Sequence, residues 1–128
     1  MSEIVLDASA MMALLRGEPG SEQLPVEMVR NSVASAVNVA EVQTKLVSHG
    51  EDADEAWEDA LSAIGEVAPF TAGQAKIAGS LVKQTRALGL SLGDRACLAL
   101  GMALKAPIYT ADRTWKNLNV GVRIHVIR

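Results

Sequence analysis

Ile4-Val5-Leu6-Asp7-Ala8-Ser9-Ala10-Met11-Met12-Ala13-Leu14-Leu15-Arg16-Gly17 joins three apolar residues to one acid, then to an apolar run that a glycine stops. Three apolar residues in a row read as a short buried strand, and residues 8–15 as a helix closed by a residue free to turn left-handed. Glu18-Pro19-Gly20 is the loop after it. Asp7 is the only charge between Ile4 and Leu15, so it stands at the passage from strand to helix in apolar company. A strand feeding straight into a helix is the beginning of a βαβ unit, the building block of parallel sheets.

The rest of the chain repeats that alternation. Ser32-Val33-Ala34 is a short strand candidate, and Ser35 caps a helix over 36–49, in which Val39, Val42 and Leu46 form an apolar stripe before Gly50. A helix over 53–64 is expected to bury Trp57, Leu61 and Ile64. Glu66-Val67-Ala68 reads as a third strand. Thr71-Ala72-Gly73-Gln74 has the form of a capping box opening a helix to Leu88. Ser91 caps the helix 92–104, Pro107-Ile108-Tyr109-Thr110 is a strand, and Asp112 follows it in a turn. One or two helical turns over 113–118 and a strand over 122–127 complete the chain. The expected architecture is α/β: one domain over residues 1–128, with a central parallel sheet of about five strands flanked by helices.

Composition limits what such a domain does. At 128 residues the chain buries a core without disulfides. Its one cysteine, Cys97, has no partner for a bridge and no Cys/His spacing for zinc, which suits a reducing cytoplasm. No basic and apolar leader follows Met1 and no apolar run is long enough to cross a bilayer, so a cytoplasmic protein without membrane attachment is expected. The net charge of -3 hides an asymmetry. Residues 1–64 carry 12 acids against three Lys/Arg, whereas residues 65–128 carry nine Lys/Arg against three acids. A basic half of this kind hints at a polyanion, while the acids from Glu51 to Asp59 read as a solvated helix face.

Asp7 and Asp112 each lie just beyond the C-terminal end of an apolar strand, the edge where open parallel sheets bind ligands. Glu41 falls in the first two turns of its helix and Asp94 in the first turn of the helix that Ser91 opens, both beginning at that same rim. Four converging carboxylates repel one another unless a divalent cation neutralises them, and all-oxygen ligation favours a hard ion, Mg2+ or Mn2+, over zinc. Each acid also has an ordinary role: Asp94 at a helix dipole, Glu41 paired with Lys45, Asp7 and Asp112 as caps. Between Leu90 and Leu104, however, Asp94 and Arg95 are the only charges in a helix apolar nearly all round, and a buried charge needs a partner or a task. Ser9 and Thr110, two residues from Asp7 and Asp112, are placed to hold a carboxylate or a water, or to serve as helix-entry and strand-end hydroxyls. Arg86, Arg95, Arg113 and Lys116 are candidates for phosphate contacts, with local charge balance as the alternative for Arg95. Cys97, Met11 and Met12 read as core, His49 as a helix C-terminal residue and His125 as a strand side chain.

Leu6-Asp7-Ala8-Ser9-Ala10, Asn38-Val39-Ala40-Glu41-Val42, Leu90-Ser91-Leu92-Gly93-Asp94-Arg95-Ala96 and Tyr109-Thr110-Ala111-Asp112-Arg113 together resemble the four acidic motifs of PIN domains in VapC toxins. Their order and spacing span almost the whole chain, and none of the four acidic positions departs from the pattern. The resemblance implies a PIN fold and a Mg2+- or Mn2+-dependent endoribonuclease leaving 5′-phosphate and 3′-hydroxyl ends. It also implies a homodimer and a cognate VapB-like antitoxin that blocks the site. It assigns the catalytic and metal-holding roles to Asp7, Glu41, Asp94 and Asp112. Two other readings compete. One is a phosphoryl-transfer protein with Asp7 as acceptor, for which a dehalogenase-like phosphatase wants an aspartate where Ser9 stands and a receiver wants a lysine after a late strand. The other is a catalytically silent PIN scaffold that binds antitoxin or RNA.

Overall fold

Five short strands, β1 (Ile4–Leu6), β2 (Ser32–Ser35), β3 (Glu66–Ala68), β4 (Ile108–Thr110) and β5 (Ile124–Val126), pair in the order β3-β2-β1-β4-β5, every pair parallel. The structure is a computed structural model, and it describes residues 3–128; Met1 and Ser2, where the sequence reading looked for a leader, lie outside the described residues. Helices α1 (Ala8–Arg16), α2 (Val26–Arg30), α3 (Ala36–Ser48), α4 (Ala53–Ser62), α5 (Ala72–Ser80), α6 (Val82–Thr85) and α7 (Leu92–Leu104) connect and cover the strands. This is the α/β architecture that the alternation predicts.

Side chains alternate across a strand, and β1 divides the core accordingly. Ile4 and Leu6 join Met11, Val39 and Val42 on one face of the sheet, while Val5 joins Leu98, Ile108 and Trp115 on the other. Both faces of β1 are buried, which is why it is an apolar run without alternation. The sheet order has a consequence for function. From central β1 the chain moves outward to β2 and β3, then returns to the opposite side of β1 as β4. The switch point therefore lies between β1 and β4, and the residues just beyond their C-terminal ends, Asp7 and Asp112, flank it.

Local signals fix most boundaries. Gly17 closes α1 at φ 61°, Ser35 Oγ accepts from Val37 N at 3.2 Å, and Asp52 Oδ2 accepts from the first amides of α4. Four expectations need correction. The single helix to Leu88 is instead α5, α6 and a 3-10 turn at Arg86–Leu88; Thr85 Oγ1 and Ser80 Oγ donate to the carbonyls of Leu81 and Ile77, competing with the helical ladder beside Gly79. The Thr71 capping box is half formed, because Gln74 N reaches Thr71 Oγ1 but Gln74 Oε1 is buried without a partner. In α4 the fully buried residues are Ala56 and Ala60, which admit α3 closely, whereas Trp57 and Leu61 are only half-buried. The last strand is three residues long, Ile124–Val126. The short helix α2 has no buried residue, so no apolar period announces it. Among the described residues no helix is long and apolar enough to cross a membrane.

Candidate active site

Asp7 is 3% exposed and carries three roles at once. It ends β1, caps α1 by accepting from Ala10 N at 2.8 Å, and accepts from two hydroxyls: Ser9 Oγ at 2.8 and 2.9 Å, and Thr110 Oγ1 at 2.6 Å. The hydroxyls carry the network on to Asp112. Ala111 N donates to Ser9 Oγ at 2.9 Å and Asp112 N donates to Thr110 Oγ1 at 3.0 Å. Asp112 in turn caps the 3-10 helix Arg113–Asn117 through Thr114 N and Thr114 Oγ1, both on Oδ1. Thus Asp7, Ser9, Thr110 and Asp112 form one lattice across the switch point.

Burial dominates the electrostatics of Asp7. Removal from water pushes its carboxyl up, the donors Thr110, Ala10 and Ser9 pull it back, Asp94 adds repulsion, and the result is a pKa of about 6 against an ordinary 3.8. Cys97, fully buried in α7, has its thiol pushed up well above its usual range, first by burial and then by the charges of Asp7, Asp94 and Glu41. Three of the four acids therefore share one electrostatic neighbourhood over the start of α7.

Asp94 makes a reciprocal capping box with Ser91: Oδ2 accepts from Ser91 N at 2.9 Å while Asp94 N donates to Ser91 Oγ at 3.2 Å. Glu41 does not reach for Lys45. Its Oε1 accepts from Asn38 Nδ2 at 2.9 Å, and that same nitrogen donates to Gly93 O at 3.0 Å. A Cβ on Gly93 would collide with the Glu41 carboxylate, so the missing side chain is the space the carboxylate occupies. Asn38 is 1% exposed, and its Oδ1 has no partner among the described residues. Sequence reading quotes Asn38 and Gly93 within the acidic motifs but gives neither a role; the available signal was an amide in a buried stripe three residues before an acid.

Among the described residues no three His, Cys, Asp or Glu side chains stand close enough together to hold a metal ion. Each acid is kept apart by its own local donors. The donor chemistry nevertheless fits a hard divalent ion: all four acids offer oxygen, buried Asp7 has no countercharge, and Asp94 Oδ1, Asp112 Oδ2 and Glu41 Oε2 have no hydrogen bond among the described residues. Mg2+ commonly keeps several waters and takes only one or two carboxylates directly, a requirement that does not call for a three-residue cage.

The basic candidates separate in space. Arg113 and Lys116 lie on the 3-10 helix beside Asp112, and Arg86 is exposed in the turn after α6. Arg95 points back to α5, where Nη1 donates to Ala78 O at 2.9 Å and Nε is buried without a partner among the described residues. Arg128 reaches the rim unannounced: Nε donates to Ala111 O at 3.2 Å and Nη1 lies 3.2 Å from Glu18 Oε1. His49 Nδ1 lies 2.7 Å from Lys45 O at the end of α3, and His125 stacks on Tyr109 at 4.6 Å.

Known proteins share this fold. No curated protein sequence matches the chain. Among solved structures it is similar to VapBC2 of Rickettsia felis bound to a DNA fragment from their promoter, at 18% identity and TM-score 0.74 over 98% of this chain and 99% of that one. It is similar to DNA-bound VapBC of Salmonella typhimurium, at 15% identity and TM-score 0.74 over 100% of both chains. It is also similar to VapC20 of Mycobacterium tuberculosis, a sarcin-ricin loop cleaving toxin, at 19% identity and TM-score 0.72 over 94% of this chain and 98% of that one. At such identities the likeness is one of fold. The sequence itself matches the PIN domain over residues 4–120, and with acids flanking the switch point of a parallel five-stranded sheet, the protein belongs to the PIN-domain family.

Proposed function

We propose that residues 1–128 act as a single PIN domain of the VapC toxin type, a Mg2+- or Mn2+-dependent endoribonuclease. The observation that carries this reading is Asp7: a carboxylate 3% exposed at the switch point, bonded to the neutral donors Ser9, Ala10 N and Thr110, with no countercharge among the described residues. A divalent cation held there would supply that countercharge. The proposed ligands are Asp7, Asp94, Asp112 and Glu41. When bound, the ion neutralises the scissile phosphate and acidifies a water.

The chain's own residues point to water as the nucleophile. Ser9 Oγ is committed to Asp7 and Ala111 N, Cys97 is buried, His125 is stacked on Tyr109, and His49 lies at the far end of α3. Asp7 is held rigidly by three donors, so its position is preorganised. In the proposed reaction water attacks phosphorus, the bond from phosphorus to the 3′ oxygen breaks, and 5′-phosphate and 3′-hydroxyl ends result. Ser9 stands where a dehalogenase-like phosphatase wants its second aspartate, and its hydroxyl is bonded to Asp7, which disfavours the phosphoryl-acceptor alternative. The partners of this reading are RNA as substrate, a VapB-like antitoxin and a second copy of the chain, in the cytoplasm. Cleavage of total RNA that requires Mg2+ or Mn2+ and disappears in Asp7→Asn, with ends mapped as above, is the expected result. Metal-independent cleavage refutes the metal-dependent chemistry, and intact RNA under all conditions refutes the nuclease reading and leaves the silent scaffold.

A further inference from the structure

A groove runs from the acidic rim along the outer edge of the sheet. Ser9, Ala111, Asp112, Arg113 and Arg128 line its upper part, and Arg113, Lys116, His125 and Arg128 line the part between the 3-10 helix and β5. Arg113 and Arg128 border both parts, so the two depressions adjoin between Asp112 and β5. Three cations line it in a protein of net charge -3. Arg128 is preset by its bonds to Ala111 O and Glu18, and the imidazole of His125 is held by its stack on Tyr109. The contrast with α4 is sharp, where Asp54, Glu55, Glu58 and Asp59 line a depression that repels phosphate.

We propose that this groove is the track for single-stranded RNA: Arg113, Lys116 and Arg128 hold successive phosphates, and the His125 ring offers a flat surface to a base. The assignment rests on the nuclease reading and adds to it the direction in which the strand leaves the site. Arg95 takes no part, since it lines neither part of the groove and its Nη1 donates to Ala78 O on α5. Phosphate contacts carry no sequence information, and stacking on an imidazole tolerates any base, so the track sets affinity and leaves the choice of cut site elsewhere.

The test measures binding of a fluorescein-labelled 12-nucleotide single-stranded RNA, with calcium in place of magnesium, over a range of salt concentrations. Wild type is compared with Lys116→Gln, Arg128→Gln, their double variant, and Lys83→Gln, an exposed position on α6 outside the groove. The double variant is expected to bind about tenfold more weakly, with a slope of log affinity against log salt shallower by roughly 1.4, as expected when two single-strand phosphate contacts are lost. Lys83→Gln stays within a factor of two of wild type. Lys116→Gln alone shows about half the slope change, which protects the test if Arg128→Gln disturbs the loop. Wild type that cleaves RNA in magnesium while the double variant keeps its affinity and slope overturns the groove alone. Wild type that neither binds nor cleaves RNA overturns the nuclease reading beneath it. Equal losses in Lys83→Gln and Lys116→Gln mean a diffuse field and no track.

Discussion

The carboxylate of Glu41 occupies the place where a side chain on Gly93 would begin, and Asn38 bridges the two by donating to Glu41 Oε1 and to the Gly93 carbonyl. This contact seats an acid of α3 on the first turn of α7, beside Asp94, and makes a glycine part of the site without any chemistry of its own.

Gly93→Ala is therefore expected to expel Glu41 while leaving the fold intact. The obstructing atoms are the far end of a flexible side chain, and alanine favours a helix over glycine by up to about 1 kcal/mol. Urea unfolding should show stability within about 1 kcal/mol of wild type, with RNA cleavage reduced at least tenfold. Unchanged cleavage would remove Glu41 from the site.

Asp7 makes stability depend on pH in a defined direction. Its carboxyl ionises near 3.8 in an unfolded chain and near 6 in the fold, so the folded state keeps a proton that the unfolded state gives up. The contribution is fully present below 3.8 and is lost as pH rises through about 6. The loss amounts to roughly 3 kcal/mol at most. In EDTA, wild type should lose more stability between pH 4 and pH 7 than Asp7→Asn; parallel curves for the two proteins would falsify the assignment.

Adding Mg2+ or Mn2+ at neutral pH should reverse that loss, because an ion that binds only the folded state stabilises it by mass action. The rise in Tm is expected to be larger in wild type than in Asp94→Asn. The variant also weakens the Ser91 capping box, so its Tm without metal is a separate control. Equal metal-induced shifts in both proteins would take Asp94 out of the site.

Thr110→Val keeps the shape of the side chain and deletes one oxygen that serves both Asp7 and Asp112 N. Leaving such buried groups without a partner costs about 1–3 kcal/mol. Because the Thr110 hydroxyl pulls the Asp7 carboxyl down, its loss should move the pH at which divalent ions begin to stabilise the protein upward. A variant that is destabilised but shows the wild-type pH dependence would reduce Thr110 to packing.

Much of this was legible in the residues. Local chemistry placed β1, α1, α3, α7 and the turn after β4, because Asp7, Ser35, Ser91 and Gly17 act on amides or dihedrals within a few positions of themselves. Burial left an apolar run at β1 and a helical stripe on α3 that the α/β reading needed, and the absence of any buried residue in α2 is why it went unseen. The four acids stood out because three of them interrupt apolar stretches or end strands, where a charge is costly. Tertiary structure alone decided the rest. Strand order placed the switch point between Asp7 and Asp112, and no local signal encodes which strand returns beside β1. The partners of Glu41, Arg95 and Arg128 lie 52, 17 and 110 positions away, at Gly93, Ala78 and Glu18, and were set by helix packing and by the docking of the chain's last residues. A side chain's identity limits what it is able to bond; only the fold determines which of those groups comes within 3 Å.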